Sequence, residues 1–266
     1  MKRVIQIAKW AIIPVVASLV WVGSQAFMEG AASSTQVSYD VATTSFNTVV
    51  QAPDTSLLTV FDKINTMVYR EKVSYSATLS SDGNFHIVAT HLAPPTLGGK
   101  PLPLNNVTTV TMTPSGFSTN AQGPFPYAPG DLEKAKGMAA QLASMSTSCS
   151  GSTTQIATLA QELQRKGAKV VNIKNLTSYT IGDTETILDL EKGVYVSEIV
   201  RENGKLVSDV YYEYDYSGTT PGSDAVCPVL KRIVSRGAMK SSRGVDMFKV
   251  EINELSNVKM SSRSKK

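Results

Sequence analysis

The sequence is poor in the residues that most enzymes use for catalysis. It contains two histidines, two cysteines and two tryptophans among 266 residues. His86 and His91 lie an odd number of positions apart on a predicted strand, so their side chains are expected on opposite faces of it. The chain also lacks the Gly-x-Ser-x-Gly, His-Glu-x-x-His, Walker and Gly-x-Gly-x-x-Gly patterns. We therefore expect a non-enzymatic protein with no metal site and no cofactor.

A charge excess that would attract nucleic acid is missing as well. The formal net charge is +4, but three positive charges, on Lys2, Arg3 and Lys9, belong to the first 26 residues, and the remainder is close to neutral. The other local excess is the segment 259–266, which lacks apolar periodicity and is predicted to be a solvated basic tail. Such a tail predicts at most weak, peripheral contact with an anionic membrane surface.

The N-terminus has the pattern of an export signal. A basic start is followed by an apolar run from Trp10 to Val22 and by small residues at Ser24 and Ala26, which predicts a signal peptide over residues 1–26. The alternative is an uncleaved inner-membrane anchor, because Trp10 to Phe27 is 18 residues long, at the lower limit for spanning a bilayer. Either interpretation places the rest of the chain outside the cytoplasm.

The cysteines fit an exported protein. An even pair in such a chain, here Cys149 and Cys227, predicts one disulfide bond. Neither cysteine directly follows the signal region, so the chain is not expected to be a lipoprotein itself.

Residue patterns divide the remaining chain into a linker and one folded domain. Residues 27–53 are rich in Ser, Thr and Ala and are predicted to be a flexible linker. The folded domain is expected over residues 54–258. It begins with an amphipathic helix over 54–68, and two further helices are expected at 131–145 and 154–166.

The rest of the domain shows the alternating pattern of strands. A hairpin is predicted from residues 73–79 and 85–92, followed by a Pro- and Gly-rich loop over 93–103. The other expected strands are 107–113, 117–121, 178–181, 185–190, 194–201, 205–214, 229–236 and 247–255. Gly193 and Asn203-Gly204 stand where hairpin turns require positive φ, so the antiparallel meander over 185–214 is the strongest prediction.

Four stretches carry a resemblance to a known family. They are the alternating strand Val73–Leu79, the paired strands Thr184–Tyr216, and the closing segments Cys227–Ile233 and Val250–Asn253. With the signal peptide and the order of elements, they resemble the periplasmic lipoprotein-carrier superfamily of LolA/LolB-like, outer-membrane lipoprotein-sorting proteins.

The resemblance implies an α+β fold, namely an open, incomplete antiparallel β-barrel with helices covering its concave face. It also implies a periplasmic protein that holds a lipid, a lipoprotein acyl chain or another apolar ligand in a half-barrel cavity, as in envelope lipid or lipoprotein transport. The residues expected to line that cavity are the apolar residues of the predicted strands: Val73, Tyr75, Ala77, Leu79, Phe85, Ile87, Val110, Met112, Leu188, Val196, Val210 and Tyr212.

Three alternatives stay open at this point. A closely packed core would use the same apolar residues. An envelope sensor or scaffold would use the same fold to bind a protein partner. A hydrolase would assemble its site from residues distant in sequence, for example from the carboxylates Asp183, Glu185 and Asp189.

Overall fold

The fold is known from a computed structural model. It describes residues 33–48, 68–80, 84–102, 109–113, 115–119, 137, 149–216, 228–240, 244 and 246–264. The predicted signal peptide, the helix expected over 54–68 apart from Val68, and the helix expected over 131–145 apart from Gly137 lie outside these residues.

Strands make up most of the described chain. In chain order they are β1 (Ser33–Thr48), β2 (Tyr69–Ser80), β3 (Phe85–His91), β4 (Thr96–Leu97), β5 (Lys100–Pro101), β6 (Thr109–Thr113) and β7 (Gly116–Thr119), then, after helix α1 (Cys149–Arg165), β8 (Lys169–Ile173), β9 (Leu176–Ile181), β10 (Thr184–Asp189), β11 (Val194–Glu202), β12 (Lys205–Asp215), β13 (Val229–Lys240) and β14 (Asp246–Ser264).

All of these strands belong to one antiparallel sheet. Its order is β7-β6-β3-β2-β1-β14-β13-β12-β11-β10-β9-β8, and the short strands β4 and β5 extend from β2. Within the described residues the end strands β7 and β8 do not pair with each other, so the sheet stays open. The expected mostly antiparallel, unclosed sheet is confirmed.

The predicted linker is wrong over most of its length. Ser33–Thr48 forms β1, which lies inside the sheet between β2 and β14. Its first half does alternate, with Val37, Tyr39 and Val41 buried, but the many hydroxyl residues around them hid the pattern. Pairing on both edges satisfies the backbone N–H and C=O groups of this Ser- and Thr-rich segment, which stabilises it as a strand.

The predicted basic tail is also wrong up to residue 264. Strand β14 continues to Ser264, and its last residues pair with the start of β1, from Ser33 opposite Ser264 to Ser38 opposite Lys259. A β-bulge interrupts this ladder, where Asn257 has φ 54° and donates a side-chain hydrogen bond to Asp40 over 2.8 Å. The folded unit therefore includes residues on both sides of the expected 54–258 domain.

The predicted hairpins are confirmed. Strands β2 and β3 pair as expected, and β10, β11 and β12 form the expected meander. Gly193 and Gly204 have φ of 64° and 75°, and Asn203 has φ 51°, as the turns require. The expected loop over 93–103 differs, because it contains the two-residue strands β4 and β5.

Helix α1 packs against one face of the sheet. Its residues Ala160 and Leu163 form a buried cluster with Tyr179 of β9 and Leu188 of β10. The helix begins at Cys149, ahead of the start expected at residue 154. Cys227 lies outside the described residues, so the disulfide stays a prediction.

We call the face that carries Tyr179 and Leu188 the helix face and the opposite one the far face. Several helices were expected to cover one face of the sheet. Among the described residues only α1 does so, and it covers β9 to β11. No helix among the described residues is both long enough and apolar enough to cross a bilayer.

Candidate functional site

The expected cavity residues of the first half of the chain lie on the helix face. Strand register places Val73, Tyr75 and Ala77 of β2 beside Val41, Tyr39 and Val37 of β1, so their side chains share one face. Together they belong to an apolar cluster, the β1–β2 cluster, whose buried members are Val37, Tyr39, Val41, Val73, Ala77, Leu79, Ile87, Ala89, Leu230 and Leu255. Tyr75, Phe85 and Tyr212 are half-buried and pack against it.

The remaining candidates divide among other places. Leu188 is fully buried in the separate cluster beneath α1. Val210 lies opposite Glu198 in the β11–β12 ladder, and half-buried Val196 lies at a β-bulge of β11. Val110 and Met112 pair with Ala89 and Ile87 by backbone register, and their side chains belong to the part that is not described. The ligand-lining role of these residues stays a prediction.

Two tyrosines connect the two apolar clusters. The rings of Tyr195 and Tyr212 meet edge to face, with centroids 5.4 Å apart. Tyr214 donates a hydrogen bond from its hydroxyl to the Tyr195 carbonyl over 3.0 Å. Tyr39 and Tyr75 stack with centroids 5.2 Å apart. Aromatic pairs of this kind add about 0.5–1.5 kcal/mol beyond the area that they bury.

Glu198 is a carboxyl group buried among these tyrosines. Its residue is 3% exposed, and the Tyr195 hydroxyl donates a hydrogen bond to its Oε2 over 3.0 Å. Burial raises the pKa of Glu198, although the Tyr195 hydrogen bond acts in the opposite direction. Burial, together with the Glu198 charge, also raises the pKa of Tyr212.

The stability of the protein is expected to fall with rising pH because of Glu198. The folded state holds this proton more tightly than the unfolded chain, so its stabilising effect is complete below pH 4.5, the ordinary value, and is lost as the pH rises through the raised pKa. Urea unfolding of wild type and Glu198→Gln at several pH values isolates this contribution. Identical pH profiles of the two proteins would contradict the expectation.

Other polar side chains on the sheet are already engaged. His91 is buried, its Nδ1 is 3.9 Å from the Glu71 carboxylate, and burial lowers its pKa. Exposed His86 lies on the other face, as predicted. Glu185 accepts hydrogen bonds from Ser178 and Arg201, over 2.8 and 3.0 Å. Asp189 accepts one from the Lys192 backbone over 2.9 Å.

Glu185 is thus held in an ion pair with Arg201, and Asp189 in a turn. Among the described residues, no three or more of His, Cys, Asp and Glu lie close enough to hold a metal ion.

A buried ion pair on the far face was not foreseen from the sequence. Arg236 donates from Nε to Asp209 Oδ1 over 2.8 Å and also from Nη2 to Oδ2, and the two side chains are 7% and 1% exposed. They meet because register places Asp209 of β12 opposite Arg236 of β13. Nothing local in either strand signals this pairing.

The end strand β8 is the other feature that sequence reasoning missed. All of its residues, Lys169–Ile173, are exposed. Val170, Val171 and Ile173 are 40%, 43% and 48% exposed, and Ile181 of the neighbouring strand is 37% exposed. We call these four residues the β8 patch. The signal in the sequence was a run of β-branched residues between two lysines, Lys169 and Lys174, directly after a helix.

Fold and surface together define an open antiparallel sheet protein with one described helix on one face and an exposed apolar end strand. No protein-family model matches the chain, and no curated protein matches it. Among solved structures it is similar to MucB in complex with the periplasmic part of MucA, with 11% identity, coverage of 91% of this chain and 94% of that chain, and a TM-score of 0.22. It is also similar to the MucA/MucB complex of Pseudomonas aeruginosa, with 10% identity, the same coverage of 91% and 94%, and a TM-score of 0.22. Likenesses at this level assign no family.

Proposed function

We propose that this is an exported, non-enzymatic scaffold that binds a protein partner through the β8 patch. The observation that carries the proposal is the exposure of Val171 and Ile173, neighbours on the far face of β8, and of Val170 on the helix face of the same strand, at an end of the sheet that no other described strand covers. Scattered exposed apolar residues are normal, but several on one end strand are typical of an interaction surface. Export is supported by the N-terminal pattern of residues 1–26.

The contrast with the rest of the sheet supports a role for this end. The inner strands bury their apolar residues, with Val37 and Ile87 at 0% exposure. Keeping a side chain of this size exposed forgoes about 1.5–3 kcal/mol for each residue that could otherwise be fully buried. A partner that covers the β8 patch would recover part of that free energy on binding.

Site-specific photo-crosslinking tests the proposal in the cells that make the protein. A photoreactive amino acid at Val171 is expected to give one defined protein adduct, whereas the same group at exposed Thr158 of α1 gives none. Adding Ile173→Thr, which keeps β-propensity but removes apolar surface, is expected to reduce the adduct at least fivefold. No adduct at Val171, or the same adduct from both positions, would contradict the proposal.

A second candidate function is the binding of a lipid or acyl chain, which the β1–β2 cluster favours. Half-buried Tyr75, Phe85 and Tyr212 border ten buried apolar residues on one face, and each methylene buried there would contribute about 0.8 kcal/mol. Native mass spectrometry of the exported protein, followed by organic extraction, decides between the two. Near-stoichiometric acyl species would support the second candidate, and a mass of protein alone would count against it.

A further inference from the structure

We propose that β8 binds its partner by strand addition, and that the partner segment is an extended peptide with apolar residues flanked by acidic ones. This inference rests on the proposed function and adds the mode of binding and the chemistry of the partner. Its basis is the juxtaposition of a backbone edge that no other described strand covers with exposed β-branched side chains between Lys169 and Lys174.

The open edge has backbone groups directed away from the sheet. Ile173 and Leu176 pair directly across the two-residue turn Lys174-Asn175, so they form a hydrogen-bonded pair. Antiparallel pairs alternate between hydrogen-bonded and non-hydrogen-bonded. The N–H and C=O groups of Val170 and Asn172 therefore point away from β9, towards the open side, where a further strand can pair with them.

The side chains of β8 define what an added strand must offer. By register, Lys169, Val171 and Ile173 share the far face with Thr180 and Ser178. The far-face residues of an added strand would therefore lie beside two apolar side chains, Val171 and Ile173, and the ammonium group of Lys169. Cross-strand pairs of apolar or oppositely charged residues each contribute about 0.2–1 kcal/mol, so an apolar segment with acidic ends is preferred.

The local charge is positive and unbalanced. No acidic residue occurs from Lys166 to Lys174, and Lys166 is already paired with Glu162 over 2.9 Å. Lys169 and Lys174 are both exposed. They stand at the two ends of the strand, so acidic groups at both ends of a partner segment would meet a cation.

The same lysines disfavour a second copy of this chain as the occupant. Antiparallel pairing of two β8 strands about Val171, the centre of the strand, brings Lys169 of each copy opposite Ile173 of the other, so neither lysine meets an acidic group. Parallel pairing in register brings each lysine beside its counterpart. Like charges directly opposite destabilise a strand pair, and lysines on end strands are a recognised protection against edge-to-edge association. The lysines therefore disfavour self-pairing and favour an acidic partner.

The test uses the whole mature protein and three synthetic peptides. The first is acidic at both ends, Glu-Thr-Val-Thr-Ile-Thr-Glu, so that its apolar and acidic residues share one face; the second has Lys in place of Glu; the third is the first with alternate backbone nitrogens methylated. Fluorescence anisotropy is expected to show binding of the acidic peptide, with affinity at least tenfold weaker for the other two. Raising the salt concentration is expected to weaken binding of the acidic peptide but not binding of the lysine peptide.

A matched pair of variants tests the backbone directly. Asn172→Pro removes one outward N–H without removing a backbone bond to β9, which an end strand tolerates, and is expected to weaken binding of the acidic peptide at least tenfold. Asn172→Ala keeps the N–H and is expected to stay within twofold of wild type. Both variants lose the hydrogen bond that the Thr177 hydroxyl donates to Asn172 Oδ1 over 3.3 Å, so their difference isolates the backbone group. Circular dichroism and thermal unfolding of both variants verify that they fold.

Each result has one meaning for the inference. Binding of the acidic peptide that Asn172→Pro abolishes supports it. Absence of binding by all three peptides, equal binding of the methylated peptide, or self-association of the protein that Asn172→Pro abolishes would overturn it. Loss of the photo-crosslinked adduct in Ile173→Thr but not in Asn172→Pro would also overturn it, while leaving the proposed side-chain contact with a protein partner intact.

Discussion

Replacing Asp209 with Ala is expected to lower the free energy of unfolding by about 3–5 kcal/mol. The variant leaves the Arg236 guanidinium, 7% exposed, without the carboxylate that it contacts on the neighbouring strand. A buried cation without its counter-charge is costly because the protein interior solvates it poorly. Urea unfolding at neutral pH followed by circular dichroism measures the loss.

Two controls separate this effect from a general sensitivity of the sheet. The double variant Asp209→Leu/Arg236→Met removes both charges and keeps the volume, so it is expected to recover most of the loss. Glu254 is an exposed partner of Arg232, with its Oε1 2.9 Å from Arg232 Nη2. Glu254→Ala is expected to lower the free energy of unfolding by less than about 1 kcal/mol. If Asp209→Ala lowers the free energy of unfolding no more than Glu254→Ala does, the buried pair does not stabilise the sheet as expected.

Replacing Gly193 with Ala is expected to lower the free energy of unfolding by about 2–5 kcal/mol. Gly193 has φ 64°, a left-handed conformation that costs other residues about 1–2 kcal/mol. A Cβ at this position would also lie 2.6 Å from Cα and 2.7 Å from N of Thr153, in the first turns of α1. Relieving that overlap requires the helix to move from the sheet, and overpacking of this kind typically costs about 1–3 kcal/mol.

Gly204 provides the matched control. It lies in the next hairpin turn with φ 75°, and a Cβ there would meet no atom within 4 Å. Gly204→Ala is therefore expected to show only the conformational cost of about 1–2 kcal/mol. Thermal unfolding of both variants measures the difference, and equal losses would mean that the approach of α1 to the β10–β11 turn does not constrain the fold.

The hairpins of the sheet could be predicted because their determinants are local. Alternating residues in Tyr69–Ser80 and Phe85–His91, and glycines at positions 193 and 204, encode strand and turn within a few residues of each other. The same reasoning failed for Ser33–Thr48 and for residues 259–264. There the backbone becomes a strand through partners some 200 positions away, for example Ser33 opposite Ser264.

The candidate site divides in the same way. The sequence correctly grouped the apolar residues of β2 and β3 on one face, because a two-residue period fixes the face of each side chain. It could not separate Leu188 from them, because only the packing of α1 assigns that residue to another cluster. The Asp209–Arg236 pair was also missed, because the register between two long strands is not visible in either strand alone.

What the sequence by itself determined is an antiparallel meander with its turns and helix α1 over most of its length, since each depends on residues near one another in the chain; the export signal stays a prediction. Only the tertiary structure decided that Ser33–Thr48 lies inside the sheet, that two charges are buried on the far face, and that β8 is left at an open end. The physical reason is that burial and edge position depend on which strands become neighbours. That choice is made by the free energy of the whole sheet.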